Sequence, residues 1–294
     1  MSVTAAFATA HVLGEGPRWN PIRSEVVWVD ILGERIYRAR LDGDCLVDGS
    51  AIATPGPVGF VAPTAGRSLI AGVGLDLVAV TGDGIERLAG TGHTAPGPTR
   101  INDGVVDPVG RVFAGVMGFG GESGWGALYR FDERGASRVI DTMTIPNGLG
   151  WSPDGDVMYI TDTSRLAIDS HAYDVADGTI GPAQPFVDCS GAGGGPDGLC
   201  VDADGCVWSA IWGAGEVRRF APDGSLDRTV AVPARQPSSC AFVGSDLDVL
   251  VITSATVGLD APGAGDGLIF TTRPGVRGLP APMTNIETLR CPIV

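Results

Sequence analysis

This sequence predicts an all-β fold assembled from six copies of one unit, and three observations support that reading. A short phrase, usually a polar residue beside glycine and then an apolar run, recurs six times at spacings of 41 to 50 residues. Each copy is followed by a turn signal and two further short runs rich in Val, Ile, Leu and aromatic residues. The 45 glycines and 21 prolines exceed what helices tolerate and suit many turns between short strands. Six units of three to four strands, at a period near 45 residues, describe a six-bladed β-propeller. We read the chain as one such domain over residues 1–294. A blade cannot bury both of its faces alone, whereas six stacked around an axis bury one another and leave only short edges.

The opening phrases are EGPRWNP, GPVGFVAP, INDGVVDP, PNGLGWSP, PDGLCVDA and PSSCAFVG, aligned on Trp19, Phe60, Val106, Trp151, Val201 and Phe242. Turns follow at NPIRSE, PTAGRS, DPVGR, SPDGD, DADGC and VGSDLD. The second runs are VVWVDI, LIAGV, VFAGVM, VMYITDT, VWSAIW and VLVITSA. The third runs are RIYRARL, LDLVAV, ALYRF, SHAYDV, EVRRF and LIFTT. The glycine-rich stretch 190–195 reads as a loop entering a blade, because the repeat continues across it.

In a propeller the first strand of each blade lines the central channel, so equivalent residues face each other across the axis. Four positions before the alignment point stand Glu15, Gly56, Asn102, Asn147, Asp197 and Ser238. Two carboxylates and two amides converging on an axis suit a divalent cation. Ligands that are all oxygen favour hard ions such as calcium, magnesium or manganese. Arg100 lies two residues before Asn102, on the same side of an alternating strand, and reaches toward the mouth to hold an anionic or hydroxyl-rich substrate. His11, His93 and His171 fall outside this register and read as structural or surface residues. There is no G-x-S-x-G phrase and no Ser-His-Asp set in register, which disfavours serine hydrolase chemistry.

Composition removes other classes. The net charge is −14, a poor match for nucleic acid. Every basic residue is Arg, so lysine Schiff-base chemistry is absent. No run of about 18 apolar residues suggests a membrane span, and the N-terminus lacks a signal-peptide pattern. The six cysteines, Cys45, Cys189, Cys200, Cys206, Cys240 and Cys291, form no C-x-x-C pair and read as reduced thiols of a cytoplasmic protein.

Five motifs in order, LGEGPRW, RINDGVVDPVGRVFAGVM, IPNGLGWSPDGDVMYITDT, GPDGLCVDADGCVWSAIWGAGEVRRFAPDG and SSCAFVGSDLDVLVITSA, resemble the gluconolactonase, regucalcin and luciferin-regenerating family. The resemblance implies a six-bladed propeller with one divalent metal in the channel. By motif, Glu15, Asn147 and Asp197 would be the metal ligands, and Arg100 and Asn102 would contact substrate. Calcium leads as the ion, with zinc, magnesium, manganese and iron(II) as alternatives. Sugar-lactone members often carry an acid just after a G-T-M phrase. Here the phrase is GVMGFGGESG, with Phe119 in that neighbourhood and Glu122 as the nearest substitute. Phe119 makes the mouth more apolar, so a less polar lactone or ester joins the sugar lactones as a substrate class.

The expected activity is metal-dependent lactone hydrolysis, with Asp197 as ligand and general base. Competing readings are a phosphotriesterase- or arylesterase-like hydrolase and a calcium-binding propeller without catalysis. A quinone-dependent propeller dehydrogenase would want more basic and aromatic groups at the mouth.

Overall fold

A computed structural model describes residues 2–290, so Cys291 lies outside the described residues. Six antiparallel sheets follow one another around the ring; in four of them the strands lie side by side in sequence order, while blade four has a divided outer strand and blade six takes its outermost strand from the N-terminus. They form the six blades of a β-propeller. The innermost strands are Gly14–Asn20, Val58–Pro63, Thr99–Val106, Pro146–Trp151, Gly195–Val201 and Pro237–Val243. The outer strand of blade four is split into Thr179–Ile180 and Gln184–Asp188.

Burial falls from the axis to the rim. In blade one the second strand, Glu25–Asp30, is buried at all but its first residue, whereas the outermost strand, Cys45–Ala53, is mostly exposed. The sequence reflects this: VVWV is apolar without alternation, while CLVDGSAIA mixes in polar residues. A strand with neighbours above and below buries both of its faces and reads as a continuous apolar run. Val27 and Val29 pack toward blade two; Val26 and Trp28, on the other face, pack toward blade six. Six apolar clusters form among the described residues, one at each seam between blades.

Ring closure comes from the N-terminus. Thr4–Phe7 pairs antiparallel with Ile269–Thr272 and supplies the fourth strand of blade six. The sequence reading assigned no strand there, because TAAF is too short to carry a pattern. The far end of the channel is crossed by a C-terminal strap. Ala203 N–H donates to Arg277 O, and Gly278 N–H to Leu247 O. At the other side of the channel, Ala65 N–H donates to Thr284 O and Thr284 Oγ1 to Gly110 O. A short helix, Ile286–Leu289, capped by Asn285, then seats Leu289 in the seam between blades two and three.

The pairing corrects one register. Val58 faces Val73 and Phe60 faces Gly72, bracketing Gly59 as Ile101 and Asp103 bracket Asn102. Gly59 therefore occupies the channel position expected for Gly56, which lies before the strand. VGFVAP has no polar residue to mark its register, so alignment on the apolar run slipped by three places.

Candidate active site at the channel mouth

All six innermost strands carry an irregularity near their first residues, where one extra residue is set against the neighbouring strand. Such bulges re-aim a side chain and commonly sit beside active sites. Glu15, Asn102, Asn147 and Asp197 all stand at these bulges. The glycine that follows the polar residue has a steric cause. A Cβ on Gly148 would come within 2.5 Å of the Asp197 carbonyl oxygen, because neighbouring blades converge at the axis.

Glu15, Arg100, Asn102, Asn147 and Asp197 line one pocket of about 310 Å³. Each is at least nine-tenths buried. Around this polar floor stand Leu13, Ile31 and Leu32 from blade one, and Met117 and Phe119 from blade three. Ile145, Trp212 and Val257 complete the wall. Phe119 and Leu32 are exposed, and Ile145, Trp212 and Val257 half-exposed, so the apolar residues form the rim.

Asn147 Nδ2 donates to Thr163 Oγ1 at 3.1 Å, and Thr163 Oγ1 donates to Pro196 O at 2.8 Å. This relay fixes the amide, and Asn147 Oδ1 is left buried with no partner. Asp197 Oδ1 is likewise buried and unpartnered. Glu15 Oε2 accepts from its neighbouring Gly16 N–H at 2.8 Å. Burial, reinforced by Asp103, pushes the Glu15 carboxyl up to about 8. Burial, then Glu15 and Asp103, holds Asp197 well above the usual carboxylate range.

Arg100 Nη1 donates to Asn102 Oδ1 at 2.7 Å and to Ile101 O at 3.2 Å, while its Nε has no partner. Burial lowers its guanidinium to about 10, against the opposing pull of Glu15 and Asp197. Asn102 Nδ2 donates to Pro146 O at 3.0 Å, so both ends of this amide are engaged within the protein. Phe119 lies over Arg100, with the guanidinium carbon 5.9 Å from the ring centroid. Glu122 does not line the pocket; its Oε2 accepts from Gly120 N–H at 3.1 Å. Ser238 is turned to Gly14 O and Thr253 Oγ1.

Two residues escaped the sequence reading. Thr163, in the loop after a second strand, orients Asn147. Asp103 is buried beside Arg18, 3.9 Å away, and accepts from Gly104 N–H. Its signal was visible: the NDG copy has an acid where EGP, PNG and PDG have glycine. The histidines are structural. His11 accepts from Trp28 Nε1 at 2.9 Å, His93 bonds Tyr129 OH and Trp125 O, and His171 bonds Gly181 O. Five cysteines are free among the described residues. A larger cavity of about 530 Å³ opens at the far end, between the strap and Trp19, Trp151 and Phe242, and contains none of the mouth residues.

Among the described residues, no three His, Cys, Asp or Glu side chains converge as a metal-binding group. The mouth offers two carboxylates and one amide instead. Two buried oxygens without partners stand beside the Glu15 carboxyl group in one pocket. That donor set fits a hard divalent cation.

Fold and mouth together define a six-bladed propeller with an oxygen-lined central pocket. Residues 13–256 match the family described as SMP-30/Gluconolactonase/LRE-like region, and the chain belongs to that family. It is 36% identical over 272 residues to the pentonolactonase XacC of Haloferax volcanii, covering 91% of this chain and 89% of that protein. It is 35% identical over 281 residues to a 6-deoxy-6-sulfogluconolactonase of Pseudomonas putida, covering 92% and 94%. Its fold is similar to that of a calcium-binding protein, regucalcin, from Agrobacterium tumefaciens, with a TM-score of 0.88, 30% identity and 95% of each chain covered.

Proposed function

We propose that this protein hydrolyses a lactone at the channel mouth, with a divalent cation held by Glu15, Asn147 and Asp197. The observation that carries the reading is the pair of buried, unpartnered oxygens, Asn147 Oδ1 and Asp197 Oδ1, in the same pocket as Glu15. The lactonase names of the relatives support the reaction class. The description of the regucalcin structure as calcium-binding supports calcium as the first ion to test.

When bound, such an ion supplies Lewis-acid polarisation of the ring carbonyl and a counter-charge for the oxyanion. Asp197 takes the proton from the attacking water on a carboxylate oxygen. Arg100 presents its unpartnered Nε and remaining N–H groups to the ring ester and, after opening, to the product carboxylate. Asn102 holds the Arg100 guanidinium through its Oδ1, and Thr163 keeps the Asn147 oxygen facing the pocket.

A small-molecule lactone or ester is the proposed partner. No helix among the described residues is long and apolar enough to cross a membrane. The free thiols suit a reducing compartment such as the cytoplasm. The test is hydrolysis of a lactone panel by metal-stripped protein supplemented with calcium, magnesium, manganese, zinc or iron(II). Turnover that depends on the ion and is lost in Asp197→Asn is the expected result. Tight cation binding with no turnover on any lactone would leave a binding protein instead.

A further inference from the structure

We infer that the substrate is a lactone carrying an alkyl or aryl substituent rather than a polyhydroxylated aldonolactone. This rests on the lactone-hydrolysing reading above and names the substrate class of the same site. Apart from the Trp212 indole, the polar groups of the pocket are confined to its floor, and beyond the cation position the free donors there are those of Arg100. Asn102 is bonded at both ends of its amide, Thr163 is bonded to Asn147 and Pro196, and the carboxylates face the cation position.

Above the floor the lining is hydrocarbon and aromatic: Ile31, Leu32, Met117, Phe119, Ile145 and Trp212. Trp212 brings one indole N–H to that wall; the others bring no hydrogen-bonding side chain. Glu122, the acid nearest the rim on the Phe119 loop, is turned to Gly120 N–H. Phe119 stands beside Arg100, its ring centroid 5.9 Å from the guanidinium carbon, and adds an aromatic face rather than a hydroxyl partner there.

A polyol seated here would place ring hydroxyls against carbon, and each unpartnered hydroxyl weakens binding roughly ten- to hundredfold. An alkyl substituent would instead cover Phe119 and Leu32, which are 46% and 38% exposed. Each added methylene buried on that wall improves binding about fourfold. The pocket volume of about 310 Å³ sets the point at which the gain stops.

The experiment compares kcat/KM for γ-butyrolactones with 5-alkyl chains of one to six carbons, and for glucono- and pentonolactones, with saturating calcium. The expected result is a rise of about fourfold per methylene over the first few carbons. The gain should lie mainly in KM, and alkyl lactones should exceed aldonolactones. In Phe119→Ser the slope should flatten, with the ratio of kcat/KM between hexyl and methyl substrate falling about tenfold. Aldonolactones hydrolysed faster than every alkyl lactone would overturn this inference and leave the lactonase reading standing. A flat response to chain length would do the same. Absence of hydrolysis on both series would overturn the lactonase reading and this inference with it.

Discussion

The six innermost strands end in two different rings of polar side chains. At the mouth stand Asn147 and Asp197; at the turn end, five residues further along their strands, stand Ser152 and Asp202, with Asp107 alongside in blade three. Burial does not separate the ends: Asp197 is 4% exposed and Asp202 0%. Partners do. Asp202 accepts from Asp204 N–H, Cys206 N–H, Trp208 Nε1 and Arg219 Nε, at 2.8 to 3.0 Å. Asp107 accepts from Val109 N–H, Arg111 N–H and Nη1, and Tyr173 OH. Asp197 Oδ1 accepts from nothing. A buried acid with a full set of donors holds the fold together, whereas one with an empty lone pair is the kind of group that the proposed cation would engage.

The largest expected effect tests the mouth. Asp197→Asn should lower kcat on the best lactone about 10³-fold. Its urea midpoint should stay unchanged or rise, since an unpaired buried carboxylate is removed. A collapsed midpoint with normal activity per folded molecule would erase the contrast between the rings. Next in size, Asp202→Ala should cost about 3 kcal/mol of stability, because Trp208 Nε1 and Arg219 lose a buried acceptor. Asp204 and Asp227 still pair with Arg219 and keep the loss from growing. Here kcat measured well below the melting temperature should be retained.

A third comparison uses the ion itself. Calcium at 100 times its dissociation constant should stabilise the wild type by about 2.7 kcal/mol, read as a higher Tm that a chelator reverses. The increment should vanish in Asn147→Leu and survive in Asp202→Ala. The smallest effect belongs to a buried group outside both rings. Burial lowers the pKa of His11 below its ordinary 6.5, against the raising influence of Gly267 O and Asp30. Below pH 6.5 the unfolded chain takes up a proton that the folded chain refuses, so stability falls as pH falls, by at most about 1.4 kcal/mol per pH unit. Wild type minus His11→Gln, in melts between pH 7.5 and about 5, isolates that slope.

Much of this was legible in the sequence, for physical reasons that differ by residue. The repeat was readable because every blade must present apolar side chains to two seams, and the anchors Trp19, Val106, Trp151, Val201 and Phe242 do so at one register. Glu15, Asn147, Asp197, Arg100 and Asn102 are brought into one pocket as expected, because the ring geometry turns equal register into adjacency. Thr163 was not legible, since it acts from a loop by orienting another side chain. The true channel position of blade two was hidden because Gly59 has no side chain to announce it. Glu122 was named from its chemistry and lies outside the pocket, because the GFGGES loop turns its carboxylate back onto Gly120.

The strap formed by residues 277–284 crosses the rear of the propeller. It is anchored to turns of four blades, and the Arg18–Asp103 pair stands between it and the mouth. On the lactonase reading proposed above, the opened hydroxy acid shares the mouth beside Phe119 with the next lactone, and product inhibition competitive with substrate is the expected result, read from initial rates with added hydroxy acid.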